Sequence, residues 1–364
     1  MRASKAVDDV GVVIHGPEVI DSGSALAVLD RLESMGRITA VLGGTMGRVA
    51  VIDAGLEGRI DISRREIPSR SVRRLQERSD VVILLNQAKT RETGLVFGEI
   101  VKTRSEPTRP LLLIDPGGRF VASLTGDADD LATILARELD LEVVDPPSPL
   151  QRIVCQGQVV LRRPVGVEPG ENISLNGTVI ARAQEGNVEI IARAGKIVDI
   201  RGAVPKPHGL EKLSVIDLER AVLRSGDIRR TECVPRILHH SGHEVVMIDH
   251  AAEGTFEAAR DAGVVITVGD DTTSIAGDVL ARLGVPQIGI VDGDPDRLSH
   301  QTTTPVGSTI IVVRSGCDDV VGRRVRAEIF GEKTRIALDG ACLEDLARMV
   351  KDIAGDDFIR MVRC

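Results

Sequence analysis

Short apolar runs recur along this chain, and most are followed by a glycine-rich or polar loop and then by apolar residues at helical spacing. Val10 to Ile14, Ile38 to Leu42, Val81 to Leu85 and Leu111 to Ile114 read as buried strands, with a further strand at Arg59 to Ile62. Between and after them, Ala25, Val28, Leu29, Leu32 and Met35 fall on one helical face, and helices are expected up to Asp53 and over Arg70 to Arg78, Arg91 to Lys102 and Asp127 to Leu139. Alternating strands and helices predict a mainly parallel sheet covered on both faces. The rhythm breaks at Asp145-Pro146-Pro147-Ser148-Pro149, where successive prolines remove backbone donors. From Ile153 to Gly202 the texture becomes short β-type runs separated by Pro169-Gly170, Asn176-Gly177 and Gly186-Asn187, as in an antiparallel module. Helix and strand alternate again from Val245 onward, ending in a helix on Leu343, Leu346, Val350 and Ile353. The expected architecture is α/β, with two Rossmann-like domains of mainly parallel sheet at 1–147 and 208–364, separated by a small antiparallel β domain at 148–207.

Within the last part, Gly263 to Leu298 forms one βαβ unit that holds six aspartates. Val264 to Val268 leads into Gly269-Asp270-Asp271 and a helix on Ile275, Val279, Leu280 and Leu283, and Ile288 to Val291 leads into Asp292-Gly293-Asp294-Pro295-Asp296. Ligands of open α/β sheets gather outside the carboxyl ends of the strands, where both clusters fall. Carboxylates there can share a hard cation such as Mg²⁺ beside a phosphate. Asp292 and Asp294, two apart in an extended segment, are the first candidates for metal ligands, with Asp249 at the end of the preceding run. Asp270 and Asp271 are candidates for a catalytic base or supporting ligands. The plainer account is turn chemistry at Asp-Gly and Pro-Asp and a helix cap at Asp271.

Composition narrows the partners. Aromatic residues are 1 % of the 364, with no Trp or Tyr, so single-strand stacking platforms are unavailable, and a net charge of −8 disfavours broad binding to a phosphate backbone. Nucleic acid is therefore not expected. The five cysteines form no CxxC pair and fit a reducing cytoplasm. No apolar stretch approaches the ~20 residues of a membrane span.

A second candidate site is Gly43-Gly44-Thr45-Met46-Gly47-Arg48, at a strand-to-helix turn where free N–H groups and the helix dipole favour an anion. It is neither a Walker A loop nor a GxGxxG fingerprint. Gly43, Gly44, Thr45, Gly47 and Arg48 would cradle a phosphate, joined by Lys89 from the polar loop Asn86 to Arg91. Glycines at such turns also serve packing alone, and Lys89 also suits a solvated loop. His15 follows the first strand, and His239, His240, His243 and His250 surround the strand ending at Asp249. Their spacing is not that of a zinc site, and structural roles are the plainer reading. Cys317 sits beside Asp318 and Asp319, which disfavour a thiolate.

The segment DGDPD at a strand end resembles the acidic motif of TOPRIM domains, in which a glutamate on an earlier strand joins the pair around Mg²⁺; Glu253 is the nearest glutamate here. A likeness over most of the chain, carried by IHGPEVIDSG, LGGTMGRVAVID, LLNQAKTRETGLVFG and VGDDTTSIAGDVLARLGVPQIGIVDGDPD, is to a cytoplasmic protein family of methanogenic archaea. That resemblance implies an archaeal cytoplasmic setting and carries no mechanism. The residues favour a Mg²⁺-dependent protein that binds a nucleotide or phosphorylated small molecule and catalyses a phosphoryl-type transfer. The alternative is a non-catalytic metabolite sensor or assembly component.

Overall fold

The computed structural model describes residues 7–146, 153–176, 178–226, 229–231, 233–238, 242–293, 303–338, 340 and 342–364. The chain forms two compact units, residues 1–43 with 66–230 and residues 44–65 with 231–364. The architecture is mixed α/β, with a parallel core in one sheet of each unit and mostly antiparallel pairing elsewhere.

In the first unit the strands Arg37–Gly43, Asp9–His15, Val81–Asn86 and Leu111–Asp115 are parallel neighbours in that order. Their interiors are continuous apolar runs because both faces are covered, and Val81–Asn86 and Leu111–Asp115 are buried at every position. The helices Pro68–Gln76 and Arg91–Ser105 lay Val72, Leu75, Leu95 and Val101 against one face of this sheet. Phe120–Ser123, which the helical and apolar pattern did not mark as a strand, pairs antiparallel with Leu111–Asp115. The turn between them is held by Asp115, whose carboxylate accepts from Gly118 N at 2.8 Å and from Ala88 N at 3.0 Å.

The antiparallel module belongs to the same unit. One sheet orders Ala203–Pro205, Thr178–Ala183, Asn172–Leu175 and Leu223–Ser225, and the other orders Lys196–Arg201, Glu189–Arg193, Val159–Arg162 and Ile153–Gln156. Ile173, Leu175, Ile180, Ile190 and Ile200 supply a shared core between the two sheets. Alternation of apolar and polar positions sends one side of each strand into that core.

In the second unit, Glu244–Asp249, Ala262–Val268, Gln287–Val291 and Thr309–Val313 are parallel and lie in chain order. Short antiparallel strands, Arg335–Ala337 and Phe358–Arg363, close the two edges. Val264, Ile266 and Val268 face the helices Asp318–Glu328 and Leu343–Ala354, whereas Val265 faces the helix Asp270–Leu283 through Ala276 and Leu280. The order never reverses in this sheet, unlike the order of a doubly wound Rossmann sheet, so the expectation of two Rossmann-like domains holds only in its coarser α/β form.

Segment 44–65 also belongs to this second unit. Its helix Thr45–Asp53 is tied in through Asp53, whose oxygens accept from Arg282 Nε and Nη2, each at 3.1 Å. Arg282 is 1 % exposed and also reaches Asp278 on its own helix, so the guanidinium is neutralised inside the unit.

Candidate acidic strand-end site

All four parallel strands of the second unit deliver acidic residues at their carboxyl ends. Asp249 ends the first strand, Asp270 opens the helix after the second, Asp292 follows the third, and Asp318 and Asp319 open the helix after the fourth. Parallel neighbours in unbroken order bring these ends together. Oxygens of Asp270, Asp292 and Asp318 lie within 4.8 Å of one another, and so do ligand atoms of Asp249, His250 and Asp319.

The first trio is fixed from the backbone. Asp292 N donates to Asp270 Oδ2 at 3.1 Å, and Gly316 N donates to Asp292 Oδ2 at 2.7 Å. Burial pushes the Asp270 carboxyl up to about 7, reinforced by a hydrogen bond with Asp292 and by the negative charges of Asp292 and Asp318. Three acids in one small space cannot all ionise without a compensating positive charge.

In the second group, His250 Nδ1 lies 2.7 Å from Asp249 Oδ1, and Nε2 lies 3.3 Å from Asp319 Oδ1. Asp249 Oδ2 accepts from Arg326 Nη2 at 3.0 Å. The hydrogen bond with His250 holds the Asp249 carboxyl below its usual range against the opposing effect of burial, and the charges of His250, Arg326 and Arg323 assist. His250 has φ +50°, and a Cβ on Gly269 would stand 3.2 Å from Nε2, so the helix N-cap Gly269, itself at φ +96°, leaves room for the ring.

These positions rearrange the residues anticipated from sequence. Asp270 and Asp292 converge, but their third member is Asp318. Asp249 joins His250 and Asp319 instead of the Asp292 group. Asp271 is in the first turn of its helix and in neither group. Asp294 lies outside the described residues, as do His239 and His240. Glu253 pairs with Arg65 at 3.3 Å, so the described residues do not reproduce the TOPRIM arrangement of an acidic pair with an earlier glutamate. In the sequence Asp318 and Asp319 stand out only as neighbours of Cys317, although a signal for their place in the acidic site is present. They follow the apolar run Thr309–Val313 and open a helix, as Asp270 and Asp271 do after Ala262–Val268.

The proposed anion cradle is divided between the two units. Gly43 ends a strand of the first unit, and Gly44, with φ +99°, caps the helix Thr45–Asp53 of the second. Thr45 opens that helix, and Gly47 and Arg48 lie in its first turn. Arg48 is 2 % exposed, with Nη1 2.7 Å from Glu257 Oε1 and its guanidinium 5.0 Å from the Phe256 ring centroid. Lys89, in the first unit, pairs with Glu171 and donates to Gly166 O at 3.3 Å. Both cations therefore already have carboxylate partners. The Cys317 thiol is pushed up by desolvation and by Asp357.

No helix among the described residues is long and apolar enough to cross a membrane. Residues 12–333 match a family described as "Uncharacterized protein conserved in archaea (DUF2117)". The chain is 39 % identical over 361 residues to "Uncharacterized protein MJ0065" of Methanocaldococcus jannaschii, covering 96 % of this chain and 98 % of that relative. No solved structure matches it.

Proposed function

This chain belongs to the archaeal DUF2117 family, and from that premise we propose that its second unit binds Mg²⁺ through Asp270, Asp292 and Asp318, beside a phosphorylated small molecule or nucleotide. The observation that carries this reading is the convergence of three carboxylates within 4.8 Å at successive strand ends. The donor set suits the ion: it is all oxygen and anionic, and Mg²⁺ is typically held by a few carboxylates while its remaining positions go to water and phosphate. Burial, reinforced by the hydrogen bond with Asp292 and the negative charges of Asp292 and Asp318, raises the Asp270 carboxyl to about 7, as expected of acids crowded into one space. A cation bound there supplies neutralisation of phosphate charge.

The surrounding residues serve the same ligand. Arg326, whose charge reaches the site through Asp249, and Arg323 nearby give the cluster a cationic edge for an anionic substrate. His250, with Nδ1 against Asp249 and Nε2 against Asp319, is placed to relay a proton between these carboxylates beside a bound ligand. Together these groups form the polar equipment of a phosphoryl-type transfer.

The test is a dye-based thermal shift with nucleotides and phosphorylated metabolites, with and without Mg²⁺. The proposal expects ligand stabilisation that requires Mg²⁺ and is lost in Asp292→Asn. Ligand shifts that ignore both the ion and the substitution would overturn it.

A further inference from the structure

The antiparallel module carries a pocket that its own core does not fill. It lies between the edge strand Lys196–Arg201, the helix Pro207–Glu211 and the segment 213–216, and encloses about 550 Å³ on an open side of the module. Sites for small organic ligands span about 300–1,000 Å³.

Backbone contacts fix the walls. At the turn before the edge strand, Ala194 has φ +48° and Gly195 φ +77°, the left-handed pair of a tight two-residue hairpin. Ile216 N donates to Gly195 O at 2.8 Å. A Cβ on Gly195 would stand 2.5 Å from Val215 Cγ1, so the segment lies this close only because the residue is glycine. On the other side, Lys206 N donates to Ile180 O at 2.8 Å, and Gly209 approaches the strand Thr178–Ala183 so closely that a Cβ would fall 1.8 Å from Val179 O. The space between these anchored elements is preformed.

The lining is apolar with one charge. Ile216 belongs to the module's core, and Ile197, Leu210 and Leu213 pack against that core, so the floor of the pocket is continuous with it. Val215, at the rim, is 75 % exposed, which leaves an apolar side chain in water. Ser214 and Lys196 are the polar members. Lys196 is exposed and forms no ion pair among the described residues. Glu211 and Lys212 lie outside the lining and carry opposite charges.

Apolar walls with a single cation at the mouth select an apolar molecule that ends in one negative charge. A phosphomonoester carries about −1.5 to −2 at pH 7, more than one ammonium offsets. An amine would meet Lys196 as a like charge. We propose that this pocket binds a small carboxylic acid, its apolar tail against Ile197, Leu213 and Ile216 and its carboxylate facing Lys196. The site belongs to the first unit, is separate from the acidic cluster and needs no metal.

The experiment is a calorimetric titration of the full-length protein in EDTA at pH 7 with hexanoate, octanoate, 1-octanol, octyl phosphate and octylammonium, each below its micellar range. Excluding divalent cations keeps the outcome independent of the Mg²⁺ reading. Octanoate should bind saturably. Hexanoate should bind more weakly by up to about fourfold for each missing methylene, about 0.8 kcal/mol apiece. Octylammonium should be at least tenfold weaker than octanoate, about 1.4 kcal/mol. Lys196→Met keeps an apolar stem at an exposed position and should remove the preference for octanoate over octanol. Location is read separately with Ser214→Trp, since the chain has no Trp or Tyr and all indole emission then comes from the rim of the pocket. Octanoate should move that emission or, if the indole fills the space, lose its binding in the variant; both results place the ligand there. No saturable octanoate binding, octylammonium or octyl phosphate binding as tightly as octanoate, or octanoate binding that leaves the indole emission unchanged would overturn the proposal. Emission that follows protein concentration and ignores octanoate would overturn it too, in favour of a second copy covering the rim.

Discussion

At Asp270 a carboxyl group whose ordinary value is 3.8 is held at about 7. Its folded-state pKa is raised, so the stability it contributes is present at low pH and is lost as pH rises toward and through 7. The metal-free protein should therefore melt at a higher temperature at pH 6.5 than at pH 8, and Asp270→Asn should flatten that difference. His15 acts in the opposite sense and in another window. Its pKa is lowered from 6.5 to about 4, so its contribution is intact above 6.5 and is lost as pH falls through the interval below. Melting curves between pH 6.5 and pH 8 thus isolate Asp270. The same proton must leave when a cation binds, so Mg²⁺ affinity should rise from pH 6 to pH 8. Calorimetry in buffers of different ionisation enthalpy would detect the released proton; pH-independent affinity would contradict a cation on Asp270.

Among the elements, the helix Asp270–Leu283 links the site to the packing of its unit. Its N-cap Gly269 has a left-handed φ of +96° and faces His250 Nε2, so Gly269→Ala should cost about 1–3 kcal/mol in urea unfolding and displace the imidazole. At the other end of the helix, Arg282→Ala would leave the buried carboxylates of Asp53 and Asp278 without their shared cation. A loss of about 3–5 kcal/mol in the same measurement is expected, and a near-neutral result would rule out a structural role for this network. The βαβ unit around this helix was legible in the sequence because its apolar runs and helical stripe are local signals. The partnership of Asp292 with Asp318 was not, since it depends on strand order, which residue spacing does not encode. Arg48 shows the same limit. Its glycine-rich turn reads as an anion cradle, yet Glu257, more than two hundred residues away in sequence, takes up the guanidinium.

For the molecule as a whole, the least legible feature is that residues 44–65 belong with the C-terminal unit. Locally the strand Arg37–Gly43 and the helix Thr45–Asp53 read as successive parts of one α/β domain, and it is the long-range pairings of Asp53 with Arg282 and of Arg48 with Glu257 that show where the helix packs. A fragment of residues 231–364 should therefore be less stable than the same fragment supplemented with a peptide of residues 44–65, as circular dichroism melting would show; no gain on adding the peptide would contradict that assignment. The function proposed for the second unit rests on its acidic site. Its central claim is a cation shared by Asp270, Asp292 and Asp318. The most direct measurement is a calorimetric titration of Mg²⁺ into wild type, Asp318→Asn and Asp271→Asn. Saturable binding in wild type, at least tenfold weaker in Asp318→Asn and little changed in Asp271→Asn, is the predicted result. No binding in wild type, or equal binding in wild type and Asp318→Asn, would contradict it.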